Sequence, residues 1–358
     1  MSETLRFCFG SFESSVIIRR TLPSPLYFTG AENPASPPET PEIPRFLTVC
    51  DGNTREFALN FQSDPLVLAA GEENKTWPAV ERILTEGRKR GLGRDGFFVG
   101  VGGGVVCDLT AFAASVYMRG AGLILVPTTL LAMADAAVGG KTGFDLDGIK
   151  NFAGTFYPAS RVFIALDTLE KLPGREWKSG AAELIKAAVL DTEEGALERL
   201  NESFLARTGR QNPEAALLRA IRIKGALVEK DPRETGTCRE LLNLGHTFGH
   251  ALEAAAGLGS ITHGEAVAWG MARSCELGLA LGITSPGRSA AICRTLENMG
   301  YETRNPWPQK FESALFHSAL RGDKKKRSGR LRFIVPADRG AVAVPWDEKT
   351  AAYVEGLC

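Results

Sequence analysis

Three of the four histidines in the chain, His246, His250 and His263, fall within LLNLGHTFGHALEAAAGLGSITHGEAVAWGM (241–271). A single buried histidine is most often a hydrogen-bonded core residue, but three so close together point to a metal site. Two imidazoles and one carboxylate, with coordination positions left open, make the donor set of a catalytic Zn²⁺. His246 and His250 are four residues apart and share one face of a helix; His263 follows a Gly-Ser turn. Spacing alone leaves open which two histidines bind. It also leaves Glu183, Glu253 and Glu265 as competing third ligands.

Two further stretches carry chemistry. GVGGGVVCD (100–108) stands where an apolar run ends and a helix should begin. Glycines there let the backbone approach a phosphate, and a helix N-terminus offers unpaired N–H groups and a positive dipole. The spacing is not G-x-G-x-x-G, so the usual dinucleotide fingerprint is absent. VPTTLLAMADAAVGGKTGFD (126–145) follows another apolar run and brings Thr128, Thr129, Asp135 and Lys141 to one segment. At the carboxyl edge of an open α/β sheet these would face a ligand; as an ordinary polar loop they would face water.

The elements that must position these residues show in the apolar rhythm. RFLTVCD (45–51), PLVLAAG (65–71), GFFVGVGGG (96–104), GLILVPTT (122–129) and VFIAL (162–166) read as strands. WPAVERILTEGRKRG (77–91) has helical spacing at Val80, Ile83 and Leu84. Apolar strands alternating with helices predict a parallel sheet covered on both faces. From about Gly174 strand-like runs nearly vanish, and GAAELIKAAVLDTEEGALERL (180–200) is helical in composition; only LRFIVP (331–336) suggests a late strand. AENPASPPETPEIPR (31–45), with five prolines, predicts an extended loop. The expectation is an N-terminal α/β domain with a Rossmann-like parallel sheet over 1–173, and a mostly α-helical domain over 174–358.

Composition bounds the function. With 358 residues, two domains of ordinary size are expected. The 42 basic and 42 acidic residues balance, so nothing argues for nucleic acid or an acidic membrane surface as partner. No apolar run approaches the ~20 residues of a membrane helix, and the opening residues show no basic-then-apolar leader. Cys8, Cys50, Cys107, Cys238, Cys275, Cys293 and Cys358 are scattered, with no C-x-x-C. They predict reduced thiols and a cytoplasmic protein.

Taken in order, GEENK (71–75), GGGVVCD (102–108), YMRG (117–120), PTTLLA (127–132), VGGKTG (138–143), KN (150–151), SGAAELIK (179–186), LNLGHTFGHALE (242–253), HGEAVAWGM (263–271) and DKK (323–325) resemble the 3-dehydroquinate synthase family. These are NAD- and metal-dependent sugar-phosphate cyclases. The resemblance runs from about Asp51 to Gly340. It implies a homodimer that converts 3-deoxy-arabino-heptulosonate 7-phosphate to 3-dehydroquinate with loss of phosphate, a step of the shikimate pathway. It also implies transient oxidation by NAD⁺ and a divalent Zn or Co ion.

Residue by residue, the resemblance implies metal ligands at Glu183, His246 and His263. It implies NAD contacts at Asp51, Glu72, Lys75, Gly103, Gly104, Val105, Asp108, Thr128, Thr129 and Leu131, with Lys141 and Lys150 alongside. Substrate contacts would be Asp135, Lys141, Asn151, Lys186, Lys224, Arg239, Asn243, His250 and Lys325, with Arg119 reaching across a dimer interface. Converging lysines and arginines suit a ligand bearing both phosphate and carboxylate. The sequence departs from the family pattern at Cys107, where glycine is usual, at Ala136 and Ala137, where serines are usual, and at Pro232, where an acidic residue is usual. FAGTFYPAS (152–160) departs from the usual Gln-Pro. Cyclases acting on sedoheptulose 7-phosphate or glucose 6-phosphate, and metal-dependent NAD polyol dehydrogenases, are the alternatives.

Overall fold

The computed structural model describes residues 3–24, 45–202, 213–257, 259–304, 313–326 and 331–357, with the side chains of 313 and 321–326 excepted. Most of the proline-rich 31–45 segment lies outside the described residues, as does the Lys325 side chain. The chain divides into two compact units, Met1–Pro173 and Gly174–Cys358.

The first unit is built on one sheet. Its strands are β1 (Glu3–Phe9), β2 (Phe12–Arg19), β3 (Phe46–Asp51), β4 (Leu66–Leu68), β5 (Phe97–Gly102), β6 (Gly122–Pro127) and β9 (Arg161–Ala165), in the order β1-β2-β9-β6-β5-β3-β4. All neighbours are parallel except β1 with β2. The central strands β5, β6 and β9 are buried almost end to end, which is what near-continuous Val, Ile, Leu and Phe demands of a sheet covered on both faces. A short α1 (Arg55–Ala58), α2 (Trp77–Lys89) and α3 (Gly104–Val116) complete the covering. The chain leaves β3 outward to β4 and returns to β5 on the other side of β3. That reversal places the topological switch point, where open α/β sheets bind ligands, at the carboxyl ends of β3 and β5.

Two hairpins were not foreseen. β1 and β2 join through Gly10-Ser11, with Phe9 opposite Phe12. Lys141–Leu146 (β7) and Ile149–Phe156 (β8) join through Asp147-Gly148, whose φ values of 50° and 75° are those a two-residue hairpin loop needs. The segment read as a loop around Lys141 is therefore partly strand.

The second unit holds α4 (Gly174–Leu190), α5 (Ala196–Leu200), α6 (Glu214–Lys230), α7 (His246–Ala256), α8 (His263–Ala280), α9 (Pro286–Asn298), α10 (Ser313–Lys326) and α11 (Glu348–Glu355). The stretch 180–200 is thus two helices, broken before left-handed Gly195. The late strand β10 (Arg332–Pro336) pairs antiparallel with β11 (Ala341–Pro345). Phe248, Leu252, Trp269, Phe316, Phe333 and Val335 form its core.

Small residues set how closely the helices approach. A Cβ on Gly245 (φ 78°) would come within 2.6 Å of the Val267 carbonyl, and one on Gly249 within 2.9 Å of the Ala266 carbonyl, so α7 and α8 are in backbone contact. A Cβ on Gly264 would stand 2.2 Å from the Ser179 carbonyl, which seats the start of α8 on α4. Real Cβ atoms do not come that close, so larger residues at these positions would push the helices apart.

Candidate active site

Those contacts bring three segments to one point in the second unit. Glu183 lies on α4, His246 opens α7 and His263 opens α8. Glu183 Oε1 is 3.6 Å from the Nε2 of both His246 and His263, and the two rings are 5.2 Å apart. Their ligand atoms lie within 4.8 Å of one another, a spacing at which one ion can touch all three. Glu183 is only 2% exposed, and Lys186 Nζ holds its other oxygen at 2.5 Å.

The tautomers suit a metal. His246 Nδ1 lies 3.1 Å from the Leu244 carbonyl. An N–H there leaves the Nε2 lone pair facing Glu183. Burial, reinforced by the Lys186 charge, pushes the His246 pKa well below its usual value, so the ring stays neutral. For His263 burial acts in the same direction, but Glu183 and Glu253 outweigh it and raise the pKa to about 9. Without a metal, a proton thus supplies the positive charge these carboxylates require. Glu, His and His are the chemistry of a divalent cation such as Zn²⁺.

The rival carboxylates have other partners. Glu253 Oε2 stands 3.7 Å from His263 Nδ1, behind the ring, where an acidic group orients a ligating histidine. His250, Glu253 and His263 also satisfy a metal-ligand spacing. The Glu183 group has the better claim, because one buried carboxylate oxygen faces two Nε2 atoms. Glu265 closes the capping box of α8: Thr262 N and Oγ1 each donate to its Oε2 at 2.9 Å, and its own N–H donates to Thr262 Oγ1.

Buried cations lie on elements that pack against the same helix as Glu183. Lys224 on α6 is buried, and Arg239 is 2% exposed at the start of a short 3₁₀ turn, Arg239–Asn243. Both α6 and that turn pack on α4, as does α8. Asp231 organises the approach to the turn, its carboxylate accepting from the N–H groups of Thr235, Gly236 and Arg239. Burial opposes its charge, but these N–H groups prevail and hold its pKa below the usual range. Asn243 donates to Glu234 at 3.1 Å, and the exposed His250 ring lies 5.4 Å from that of His246.

The first unit gathers a second group at the switch point. Asp51 ends β3, and its Oδ1 accepts from Asn53 N and Thr54 N; the Thr54 hydroxyl lies 2.9 Å from both Asp51 Oδ1 and the Val101 carbonyl of β5, with one proton to share between them. Gly103 precedes α3, and no side chain caps the helix, so its first N–H groups, Val105 included, are available to an anion. A Cβ on Gly104 would meet only Ala136, at 3.7 Å. Thr128, at the end of β6, has a buried hydroxyl with no hydrogen-bond partner, as expected where a bound group supplies one. The Thr129 hydroxyl is engaged, accepting from Ala132 N. Leu131 leads into a π-helical turn, Ala132–Ala136, that carries Asp135.

Lys75 is buried at 4% exposure, with its ammonium 2.6 Å from Asp108 Oδ2 and also hydrogen-bonded to Asn151 Oδ1. Burial opposes its charge, but Asp108 and Glu72 reverse that and raise its pKa, so it remains a cation. Burial raises the pKa of Asp108, against the pull of Lys75. Lys141 and Lys150 are exposed on the β7–β8 hairpin, and Arg119 is exposed with φ 72° just beyond α3. An uncapped helix start, a partnerless hydroxyl and a carboxylate at the switch point suit a dinucleotide.

The N-terminal family model of 3-dehydroquinate synthase matches residues 65–179 and the C-terminal model matches 180–326. The chain belongs to the 3-dehydroquinate synthase family. The 3-dehydroquinate synthase of Acidithiobacillus ferrooxidans is 39% identical over 303 residues, spanning 84% of this chain and 82% of that one. That of a Synechococcus species is 40% identical over 300 residues, 82% of this chain and 79% of the other. A 2-deoxy-scyllo-inosose synthase, solved with carbaglucose-6-phosphate, NAD⁺ and Co²⁺, has a TM-score of 0.81 at 24% identity, covering 99% of this chain and 100% of that one. The 2-epi-5-epi-valiolone synthase of Streptomyces hygroscopicus, solved with NAD⁺ and Zn²⁺, has a TM-score of 0.76 at 26% identity, covering 87% of this chain and 89% of that one.

Two of the departures from the 3-dehydroquinate synthase pattern have plain local roles. Cys107 is fully buried, its thiol 3.7 Å from the Gly102 carbonyl, and burial pushes its pKa far up, so it is an inert filler. Pro232 serves through its carbonyl, which accepts from the Arg239 guanidinium; any residue offers the same oxygen. Sequence reasoning missed Asp231 and Glu253 as supports of Arg239 and His263. The acid followed by Thr-Gly in DPRETG was the one available signal for Asp231.

Proposed function

We propose that this enzyme carries out the reaction for which its curated relatives are named, converting 3-deoxy-arabino-heptulosonate 7-phosphate to 3-dehydroquinate with release of phosphate. The observation that carries the reading is the Glu183–His246–His263 group, with buried Lys186 paired to Glu183 and the buried cations Lys224 and Arg239 on elements that pack against the same helix. A neutral polyol needs no such cations, whereas a phosphate and a carboxylate both do.

On this reading Glu183, His246 and His263 hold Zn²⁺ or Co²⁺, and the residues at the ends of β3, β5 and β6 hold NAD⁺. When bound, these groups supply transient hydride acceptance at C5 and polarisation of its oxygen. The chain's own residues do the rest. Lys224 and Arg239 fix the carboxylate, while Asn243 and His250 serve the phosphate end. Lys186 pairs with the Glu183 carboxylate and holds it in place. The first unit is then the cofactor domain and the second the metal and substrate domain.

The test is phosphate release from the heptulosonate phosphate with catalytic NAD⁺. Phosphate should appear without a matching rise in NADH absorbance. Stoichiometric NADH would favour a polyol dehydrogenase instead.

The reading extends to a homodimer in the cytoplasm. Val116 and Met118 beside Arg119, and Phe152 and Phe156 on β8, are large apolar side chains left exposed. β8 is tied to α3 by Thr155 Oγ1 donating to Ser115 Oγ at 2.9 Å. Apolar surface of this kind marks an interface, and the exposed Arg119 would then reach a second copy. Sedimentation equilibrium should give twice the chain mass; a monomer at micromolar concentration would remove this part. Among the described residues no helix is long and apolar enough to cross a membrane.

A further inference from the structure

Three hydrogen bonds close a ring at the turn end of the β7–β8 hairpin. The Asp145 N–H donates to the Lys75 carbonyl at 2.8 Å. The Asn151 N–H donates to Asp145 Oδ1 at 2.7 Å. The Lys75 ammonium donates to Asn151 Oδ1 and, outside the ring, to Asp108 Oδ2.

One member of the ring has an unusual backbone. Asn151 has φ 53°, in the left-handed region, which asparagine tolerates better than most residues when a local hydrogen bond holds it there. Asp145 Oδ1 captures the Asn151 N–H in that conformation, and the conformation turns the amide onto Lys75. Asp108 and Asn151 occupy two of the three ammonium protons, which directs the third. Asp145 therefore acts at both ends: its backbone holds the Lys75 main chain and its carboxylate holds the residue that aims the Lys75 side chain.

We propose that Asp145 is the positioning residue of the Lys75–Asp108–Asn151 cluster, holding Asn151 in its left-handed conformation and thereby fixing where the Lys75 ammonium points. This rests on the reading of Lys75, Asp108 and Asn151 as cofactor- and substrate-facing. Asp145 itself touches no ligand. What it sets is how well NAD⁺ and the heptulosonate phosphate are received, so its loss raises KM more than it lowers kcat.

The experiment compares D145A, D145N, N151A, K75A and the D145A/N151A double variant in the full-length, metal-loaded enzyme. KM for NAD⁺, KM for the heptulosonate phosphate and kcat are read from phosphate release. D145A should raise one or both KM values about tenfold, equivalent to about 1.4 kcal/mol, with kcat within about threefold. D145N should recover most of that loss, because an amide oxygen accepts the Asn151 N–H as a carboxylate does. In the N151A background D145A should add less than about threefold, since Asp145 acts through Asn151. Full additivity, a D145N variant as impaired as D145A, or a D145A variant with wild-type KM values would each overturn the proposal alone. If N151A and K75A both leave the two KM values unchanged, the reading of the cluster fails and the proposal falls with it.

Discussion

Replacing His263 by Ala should lower turnover on the order of 1000-fold and leave the protein unable to retain stoichiometric metal. A bound cation that polarises a reacting oxygen contributes several kcal/mol, and about 4 kcal/mol corresponds to three orders of magnitude in rate. His263 is the better test position because the most deeply buried carboxylate, Glu183, keeps Lys186 at 2.5 Å, and only the contact to Glu253 is lost with the ring. Glu183→Gln confounds two effects, since it removes a metal ligand and also takes away the charge that the buried Lys186 ammonium contacts at 2.5 Å, which lowers stability by itself. Unfolding midpoints measured beside metal content separate them, with His263→Ala losing metal and Glu183→Gln losing both. Chelation should abolish phosphate release from the wild type, and Zn²⁺ or Co²⁺ should restore it. Full activity in metal-free protein would end the assignment.

The sheet was readable where apolar runs were long. β3, β5, β6 and β9 were evident because a strand buried on both faces must be apolar nearly throughout. The hairpins were less legible because their side chains face two environments. β8 leaves Ile149, Phe152 and Phe156 exposed, which no alternation rule recovers. The Asp147-Gly148 pair is the hairpin signal in that stretch. At the metal centre spacing left three histidines and three glutamates open, and only the motif resemblance chose among them. The choice depends on Gly245, Gly249 and Gly264, which allow α7, α8 and α4 to meet at backbone distance. Close approach is a tertiary property, so spacing along the chain could not rank Glu183 above Glu253 or Glu265.

Arg239→Ala and Lys224→Ala should each cut kcat/KM on the heptulosonate phosphate by about 2–5 kcal/mol, the cost of leaving a desolvated carboxylate without its charge-assisted partner. That is roughly 30-fold to several thousand-fold. Both cations lie among residues packed on α4, the helix that carries Glu183 and Lys186, so they are within the same structural layer as the metal group. Arg239 also has a structural role: its guanidinium donates to the Pro232 carbonyl and its N–H to Asp231. A drop in activity on one substrate therefore proves little. The discriminating comparison is sedoheptulose 7-phosphate, which has the phosphate but no carboxylate. A carboxylate partner predicts that wild type turns it over poorly and that the two variants lose far more on the heptulosonate than on the sedoheptulose. A merely structural Arg239 predicts equal proportional losses on both sugars. Equal wild-type turnover of the two sugars would remove the carboxylate assignment and make a sedoheptulose-type cyclase the better description of this site.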